Sequence, residues 1–320
     1  MGVSPQCRSP ETWKVVRLNT IPNRPIRFTL FDEFVATLQS WLADWSRSGS
    51  NAFIHSELYA SRVPAPVGDV FTALTSYFHR APETEPMVFR IVEDRITNLV
   101  ATETLEPSDV LGHLSRVHAL MGYSIICLFH GDIRLRRVAE VNLQLLVSWS
   151  QDMLKATARA ASNGQLLYSE MVNALAFLGT DAAARSIPPQ HELQAAWQHL
   201  GEAEKETALW HTWVVTESVR RAWVTARAVE TIYLTLRDRG AACPGGLIFT
   251  MSKSVWEANS ALAWTKACAE SDTGFLHIWD TDRLCVQPTS DAIDEFAKVM
   301  IKLNFRTDRA STWAQGECGS

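Results

Sequence analysis

Closely spaced cysteines are missing from this 320-residue chain, and their absence removes several chemistries at once. The six that occur (Cys7, Cys127, Cys243, Cys268, Cys285 and Cys318) are never nearer than the seventeen positions between Cys268 and Cys285. No C-x-x-C ligand pair for zinc can be built from that spacing. No secretory leader precedes them, so free thiols in a reducing compartment are expected. Long apolar runs are also missing. The longest candidate, 117–129, contains His118 and falls short of the eighteen or so residues that a membrane span requires. Gly2 is present, but Gln6 stands where a myristoylation signal needs Ser or Thr. With 15 glycines and 13 prolines the chain is neither collagenous nor of low complexity.

Catalytic signatures are scarce too. There is no G-x-G-x-x-G, no glycine loop ending in Gly-Lys-Ser/Thr, no G-x-S-x-G and no H-E-x-x-H. His191 and His199 are eight apart and His113 and His118 five apart, the wrong pitch for two metal ligands on one helical face. Cys243 precedes Pro244-Gly245-Gly246 and has no nearby histidine, so it reads as a loop residue before it reads as a nucleophile. Asp280 and Asp282 fit an ordinary turn as well as a metal site. No cofactor, metal site or catalytic residue is assigned from these positions.

The net charge is unevenly distributed along the chain. The net charge is −5, yet the first thirty residues carry +4, from Arg8, Lys14, Arg17, Arg24 and Arg27 against Glu11. The remainder is therefore near −9, which does not suit a surface for nucleic acid. Four prolines break residues 1–26, which read as an irregular basic arm.

What the chain has in quantity is apolar helical periodicity and tryptophan. Hydrophobic residues make up 47% and charged residues 20%, and there are 12 tryptophans, a composition for thick packing of long helices. Phe31, Phe34, Leu38, Trp41, Leu42 and Trp45 recur at helical spacing up to Ser48-Gly49. A second helix follows Pro64 and Pro66, and a third places Val88, Ile91, Val92, Ile96, Leu99 and Val100 on one side. Asp109 caps a nearly all-apolar, buried helix, and His130-Gly131-Asp132 turns the chain into another that stops at Asn163-Gly164. So short a turn makes the two antiparallel neighbours. Residues 166–178 read as a further helix, 181–190 as a possible subdomain boundary, 252–268 as one helix and 291–305 as the last. Only 275–288 reads as extended. The fold class is all-α over 27–306, with a frayed tail at 307–320.

The segment LWHTWVVTESVRRAWVTARAVETIYLTL, 209–236, contains neither proline nor glycine. Trp210, Trp213, Val214, Glu217, Arg221, Val224 and Ala228 fall on one face, and Val215, Val219, Ala222, Ala226, Val229 and Tyr233 on a second. Two apolar faces place it in the middle of the protein. Glu217 and Arg221 form an i,i+4 pair there, read as a structural ion pair because unpaired buried charges are very costly. Arg220 and Arg227 are spaced to lie over Trp223. If the helices enclose a ligand site, Trp210, Trp213, Tyr123 and Phe129 are its candidate lining.

One constellation is more specific. Trp210, Trp213, Glu217, Ser218, Arg220 and Arg221, followed by Val255, Trp256, Glu257, Ala258 and Trp264, resemble the W-x-x-W-x-x-x-E-S/A-x-R-R and L/V-W-E-A-x-x-x-x-x-W segments of the regulatory domain of fungal zinc-cluster transcription factors. The resemblance extends over roughly 85–270 and implies an all-helical domain that relays signals through partners or small effectors. Such factors hold two zincs with an N-terminal C-x-x-C-x₆-C array repeated twice. The scattered cysteines here do not match it, so no DNA or zinc ligand is carried over. The expectation is a transcription-factor-like regulator without its own DNA-binding module, in nucleus or cytoplasm, linked to secondary-metabolite genes. It would act through protein partners or a small hydrophobic effector, without sequence-specific DNA contact and without a membrane. The alternative is a biosynthetic cyclase or isomerase that uses an apolar pocket in the same scaffold.

Overall fold

The computed structural model describes residues 10–17, 28–102, 107, 109–130, 132–167, 169–170, 197–242, 244–270, 275–277 and 292–305. It is an all-α fold. In chain order the elements are α1 (Phe28–Ser48), α2 (Ala65–Phe78), α3 (Glu85–Val100), α4 (Val110–Phe129), α5 (Ile133–Ser162), α6 (Glu202–Asp238), β1 (Ile248–Thr250), α7 (Lys253–Trp256), α8 (Ala261–Glu270), β2 (Phe275–His277) and α9 (Glu295–Phe305). Among the described residues no helix is long and apolar enough to cross a membrane.

Local chemistry starts and stops these helices. The carboxylate of Asp109 accepts from the Gly112 amide at 2.7 Å, and that of Asp132 from the Leu135 amide at 2.8 Å, so α4 and α5 each begin on a side-chain cap. Gly49, just beyond α1, takes a φ of +77°, and Asn163 closes α5 ahead of Gly164 at +76°. Every residue of α4 from Leu114 to Leu128 is buried, because α1, α2, α3, α5 and α6 all pack on it. The three-residue link between α4 and α5 makes them antiparallel neighbours along most of their length. On α3, Val88, Val92, Ile96 and Leu99 face the core, whereas Ile91 is exposed. The stripe is narrower than the six positions expected, since only one side of α3 meets other helices.

The central helix is longer than its periodicity indicated. α6 runs for 37 residues, about 55 Å at 1.5 Å per residue. The Glu204 carboxylate accepts from the Gly201 amide at 2.7 Å at its start, and Arg239 ends it in the left-handed region, φ 62°. Both apolar faces are covered, by α4 and α5 and by α8 and β1.

Two readings of the C-terminal half are corrected. Ile248–Thr250, taken as loop, is a strand that pairs antiparallel with β2, Phe249 opposite Leu276. Residues 252–268 are not one helix. α7 ends at Glu257, and the Ser260 hydroxyl accepts from the Ala263 amide at 3.3 Å, which starts α8 anew. A serine that can bond its own backbone favours a cap over a helix interior. The expected helix over 166–178, the boundary at 181–190 and the tail at 307–320 lie wholly or mostly outside the described residues.

Part of the N-terminal arm is docked. A 3₁₀ turn at Pro10–Trp13 buries Trp13, and Val16 exchanges two backbone hydrogen bonds with Gly246, at 2.9 and 2.8 Å. Gly245 permits this. Its φ is +90°, and a Cβ there would stand 2.6 Å from Val15 Cγ1. Gly245→Ala is expected to cost about 1–3 kcal/mol and to deprotect the Val16 and Gly246 amides. Urea unfolding and hydrogen exchange check this, and unchanged protection would show that the segment docks without the glycine.

A buried histidine adds a pH dependence. Tyr59 and the Nδ1 of His118 are hydrogen-bonded at 2.8 Å in the core, and burial lowers the His118 pKa to about 3. The unfolded chain, with histidine near 6.5, then binds the proton that the fold excludes. Stability from this group is complete above pH 6.5 and is lost as pH falls toward 3. Between pH 6 and 4 the slope of stability against pH should be shallower in His118→Phe by about 1.4 kcal/mol per pH unit. Urea midpoints across that range measure it, and an unchanged slope would mean that His118 is protonated in the fold.

Candidate functional site

The chemistry of the core gathers where α6, the loop after α1, β1 and α9 meet. Glu217, Arg220 and Arg221 are fully buried on α6. Glu217 Oε1 accepts from Arg221 Nε at 3.1 Å and from the Thr250 amide at 2.8 Å, while Oε2 accepts from Arg220 Nη1 at 3.3 Å. The i,i+4 pair is an ion pair with its charges satisfied from two directions.

Arg221 reaches much further than its helical neighbour. Its Nη1 donates to the Ala52 carbonyl at 2.8 Å and its Nη2 to the Thr250 carbonyl at 2.9 Å and to Asp294 Oδ2. The guanidinium carbon lies 3.7 Å from the Trp256 ring centroid and 4.9 Å from that of Phe296. Such a flat cation, with four donor contacts and two aromatic rings against it, is a role that lysine does not fill. Asp294 also caps α9, its Oδ1 accepting from the Ala297 amide at 2.7 Å. Burial pushes the Asp294 pKa up to about 6, and Arg221 and the Ala297 amide work against that rise.

The loop after α1 is folded by Asn51. Its Oδ1 accepts from the Phe53 and Ile54 amides at 2.9 and 2.8 Å, and its Nδ2 donates to the Trp41 carbonyl at 3.1 Å. The turn aims the Ala52 carbonyl at Arg221 and tucks His55 among three tryptophans, with ring centroids at 6.3 Å (Trp210), 6.1 Å (Trp213) and 5.0 Å (Trp256), each near edge-on. His55 Nδ1 accepts from the Glu57 amide at 3.1 Å. Burial first and the Arg221 charge second lower its pKa to about 4, so it is neutral at physiological pH.

These groups surround a cleft of about 300 Å³, at the lower end of the range for small-molecule sites. Arg221 and Asp294 lie at its floor, Trp41, Trp256 and Phe296 line it, and Asp44, Glu257 and Glu295 are on it with His55. None of the four residues expected to line a ligand site is among them. Trp210 and Trp213 belong to the cage around His55, where Trp213 also packs on Trp264 with centroids 5.7 Å apart. Tyr123 is buried on α4, its hydroxyl pKa pushed up by burial, and Phe129 packs at 6.2 Å on Tyr233. The tryptophans come together, and Tyr123 and Phe129 do not join them.

The arginine–tryptophan contact differs from its sequence reading. Arg220 lies over Trp13, at 4.7 Å, and Arg227 pairs with Glu230 at 2.6 Å. The docked arm brings a ring from outside the helix, which i±3 spacing could not reveal. Cys127 is buried with its thiol pushed up to about 12, mainly by burial, which disfavours the nucleophilic thiolate. His191, Cys243, Asp280 and Asp282 lie outside the described residues.

Asp294 and His55 are the residues that sequence reasoning missed. For Asp294 a signal existed, because an aspartate three residues before Ala297 at the head of an apolar stretch is an N-cap pattern. For His55 there was none, since its partners are 155 or more positions away.

Removing Glu217 strands two buried guanidinium groups. Glu217→Ala should destabilise the fold by about 3–5 kcal/mol, and Glu217→Gln by less because it still accepts from Thr250. Chemical denaturation separates these outcomes, and an unaltered midpoint in Glu217→Ala would remove the pair from the structural account.

Comparison with known proteins supports a relation to a fungal transcription factor. Over 270 residues, 84% of the chain, it is 23% identical to the transcription factor gsfR2 of Penicillium aethiopicum, and it spans 58% of that protein's length. No protein-family profile matches the chain, and no solved structure does. The chain is related, at low identity, to a fungal transcription factor over most of its own length.

Proposed function

We propose that this helical body is the regulatory part of a transcriptional control system, and that it works through protein partners or a small effector. The observation that carries the reading is the similarity to a fungal transcription factor over 84% of the chain, far more than a single motif. The buried, hydrogen-bonded charge network around Arg221 supports it further, because charges engaged in this way suit a structural node better than turnover. Nothing specific favours the cyclase or isomerase reading. A link to secondary-metabolite genes and a nuclear location are part of the same proposal.

Direct reading of DNA is not part of it. Affinity for a duplex comes largely from lysines and arginines that displace counterions, and the net charge of −5, with +4 in the first thirty residues, leaves about −9 on the remainder. The purified chain should give no sequence-selective gel shift at about 150 mM salt, and at most binding that fades with salt. Fused to a heterologous DNA-binding domain in a fungal host, it should change reporter output several-fold relative to that domain alone. The Glu217→Ala fusion, which fails to hold the core, should not. Reporter output indistinguishable from the bare DNA-binding domain would overturn the regulatory reading, and tight, selective DNA binding by the isolated chain would overturn its indirect form.

A further inference from the structure

We propose that residues 10–17 are a releasable strap over a peptide-binding groove between α5, α6 and the 244–247 segment. The occupant that displaces the strap is a partner's extended segment with a tryptophan two residues ahead of a branched apolar side chain. The strap is itself seated as such a segment would be. Trp13 is buried, Lys14 exposed, Val15 half-buried and Val16 exposed, the alternation of a strand laid on one face. Val16 and Gly246 exchange two backbone hydrogen bonds just ahead of β1, the way a peptide is added beside a sheet. The Trp13 ring covers the Arg220 guanidinium at 4.7 Å, and the 3₁₀ turn that carries it packs on α5.

The groove recognises chemistry that does not depend on the strap being covalently part of the chain. Gly245 lacks a Cβ, and Val15 Cγ1, Arg17 Cγ and the Val16 carbonyl lie 2.6, 3.1 and 3.1 Å from where one would stand. Arg220 is held from the protein's side by Glu217 at 3.3 Å. The groove therefore reads an aromatic face for the cation, a branched side chain for the hollow at Gly245, and a main chain able to pair with residue 246. Lys14 and Arg17 add positive charge beside a body whose remaining net charge is about −9, so basic flanks suit the partner segment as well. The strap's own hold is modest. Ordering eight residues costs conformational entropy in proportion to their number, against a gain that comes chiefly from the Trp13 ring, Val15 and the two backbone bonds. A segment held in this way opens without the core.

This assignment goes beyond the regulatory reading and is tested on the purified full-length chain, so either can fail without the other. In the wild-type chain the Val16 and Gly246 amides should exchange at least about a hundredfold faster than the amide of Ala222, in the middle of α6. A fluorescent peptide of residues 8–18, RSPETWKVVRL, serves as the probe. By anisotropy it should bind the full-length Trp13→Ala/Val16→Pro chain, in which both ties of the strap are cut, with a Kd of about 100 µM or tighter. The wild-type chain should bind it about tenfold or more weakly, because a closed strap lowers the competent fraction. The same peptide carrying Trp13→Ala should bind neither chain. Val16→Pro alone removes one backbone bond at an exposed position, and should give an intermediate affinity at an unchanged melting temperature. It carries the test where the double variant fails to fold. Exchange at Val16 as slow as at Ala222, equal affinity of the wild-type and strap-cut chains, binding of the Trp13→Ala peptide, or silence of every chain up to about 1 mM would each overturn the assignment. So would a wild-type dimer that Trp13→Ala abolishes, which would make the occupant a second copy.

Discussion

A single buried cation organises this protein. The Arg221 guanidinium is fixed by acceptors from four separate pieces of chain: Glu217 on its own helix, the Ala52 carbonyl after α1, the Thr250 carbonyl in β1 and the Asp294 carboxylate at the head of α9. Taking a guanidinium and two carboxylates out of water costs several kcal/mol per ion, and the interior returns that only when nearly every donor and acceptor is met. The cost is what makes the arrangement specific. A shifted register of α6, or α9 docked one turn away, would leave the same charges buried and unmet. Apolar packing tolerates many near-alternatives, whereas this node tolerates few.

The same reasoning explains which parts of the structure were legible in the sequence. Local patterns were: the apolar stripe of α1, the cap at Asp109, the turn at 130–132, the stop at Gly49, and the spacing that sets Glu217 against Arg221. Each is written in residues a few positions from their neighbours. The rest of the node was not, because Asp294 lies 73 positions beyond Arg221 and Ala52 lies 169 before it. Strand β1 escaped notice because three residues cannot display an alternation. The contact of Trp13 with Arg220 escaped because a proline-broken, basic stretch offers no periodicity to extend. A signature such as W-x-x-W-x-x-x-E-S-x-R-R suggests exposed chemistry when read as text. In the fold most of it is core: Trp213, Glu217, Ser218, Arg220 and Arg221 are all buried.

The node also determines where function is able to sit. Sequence reasoning looked for a ligand site among apolar residues of the central helices, yet Tyr123 and the tryptophans of α6 are consumed by packing. The open space lies at the ends of elements instead, where the Asn51 turn, the last turn of α7 and the first of α9 stop short of one another over the Arg221–Asp294 pair. Helix ends and turns leave room because their backbones diverge, and their polar side chains are free to face a solute.

Floor and scaffold are therefore one object. Asp294 caps α9 while it holds Arg221, and Glu295, one residue on, faces the cleft. A solute that occupied the cleft would touch α1 and the start of α9 together, and would stabilise the docked helix by an amount set by its concentration over its Kd. For a protein proposed to relay a signal, that coupling needs no distant pathway. The helix to be held and the site to be filled share two adjacent residues, so occupancy and the position of α9 are linked by direct contact.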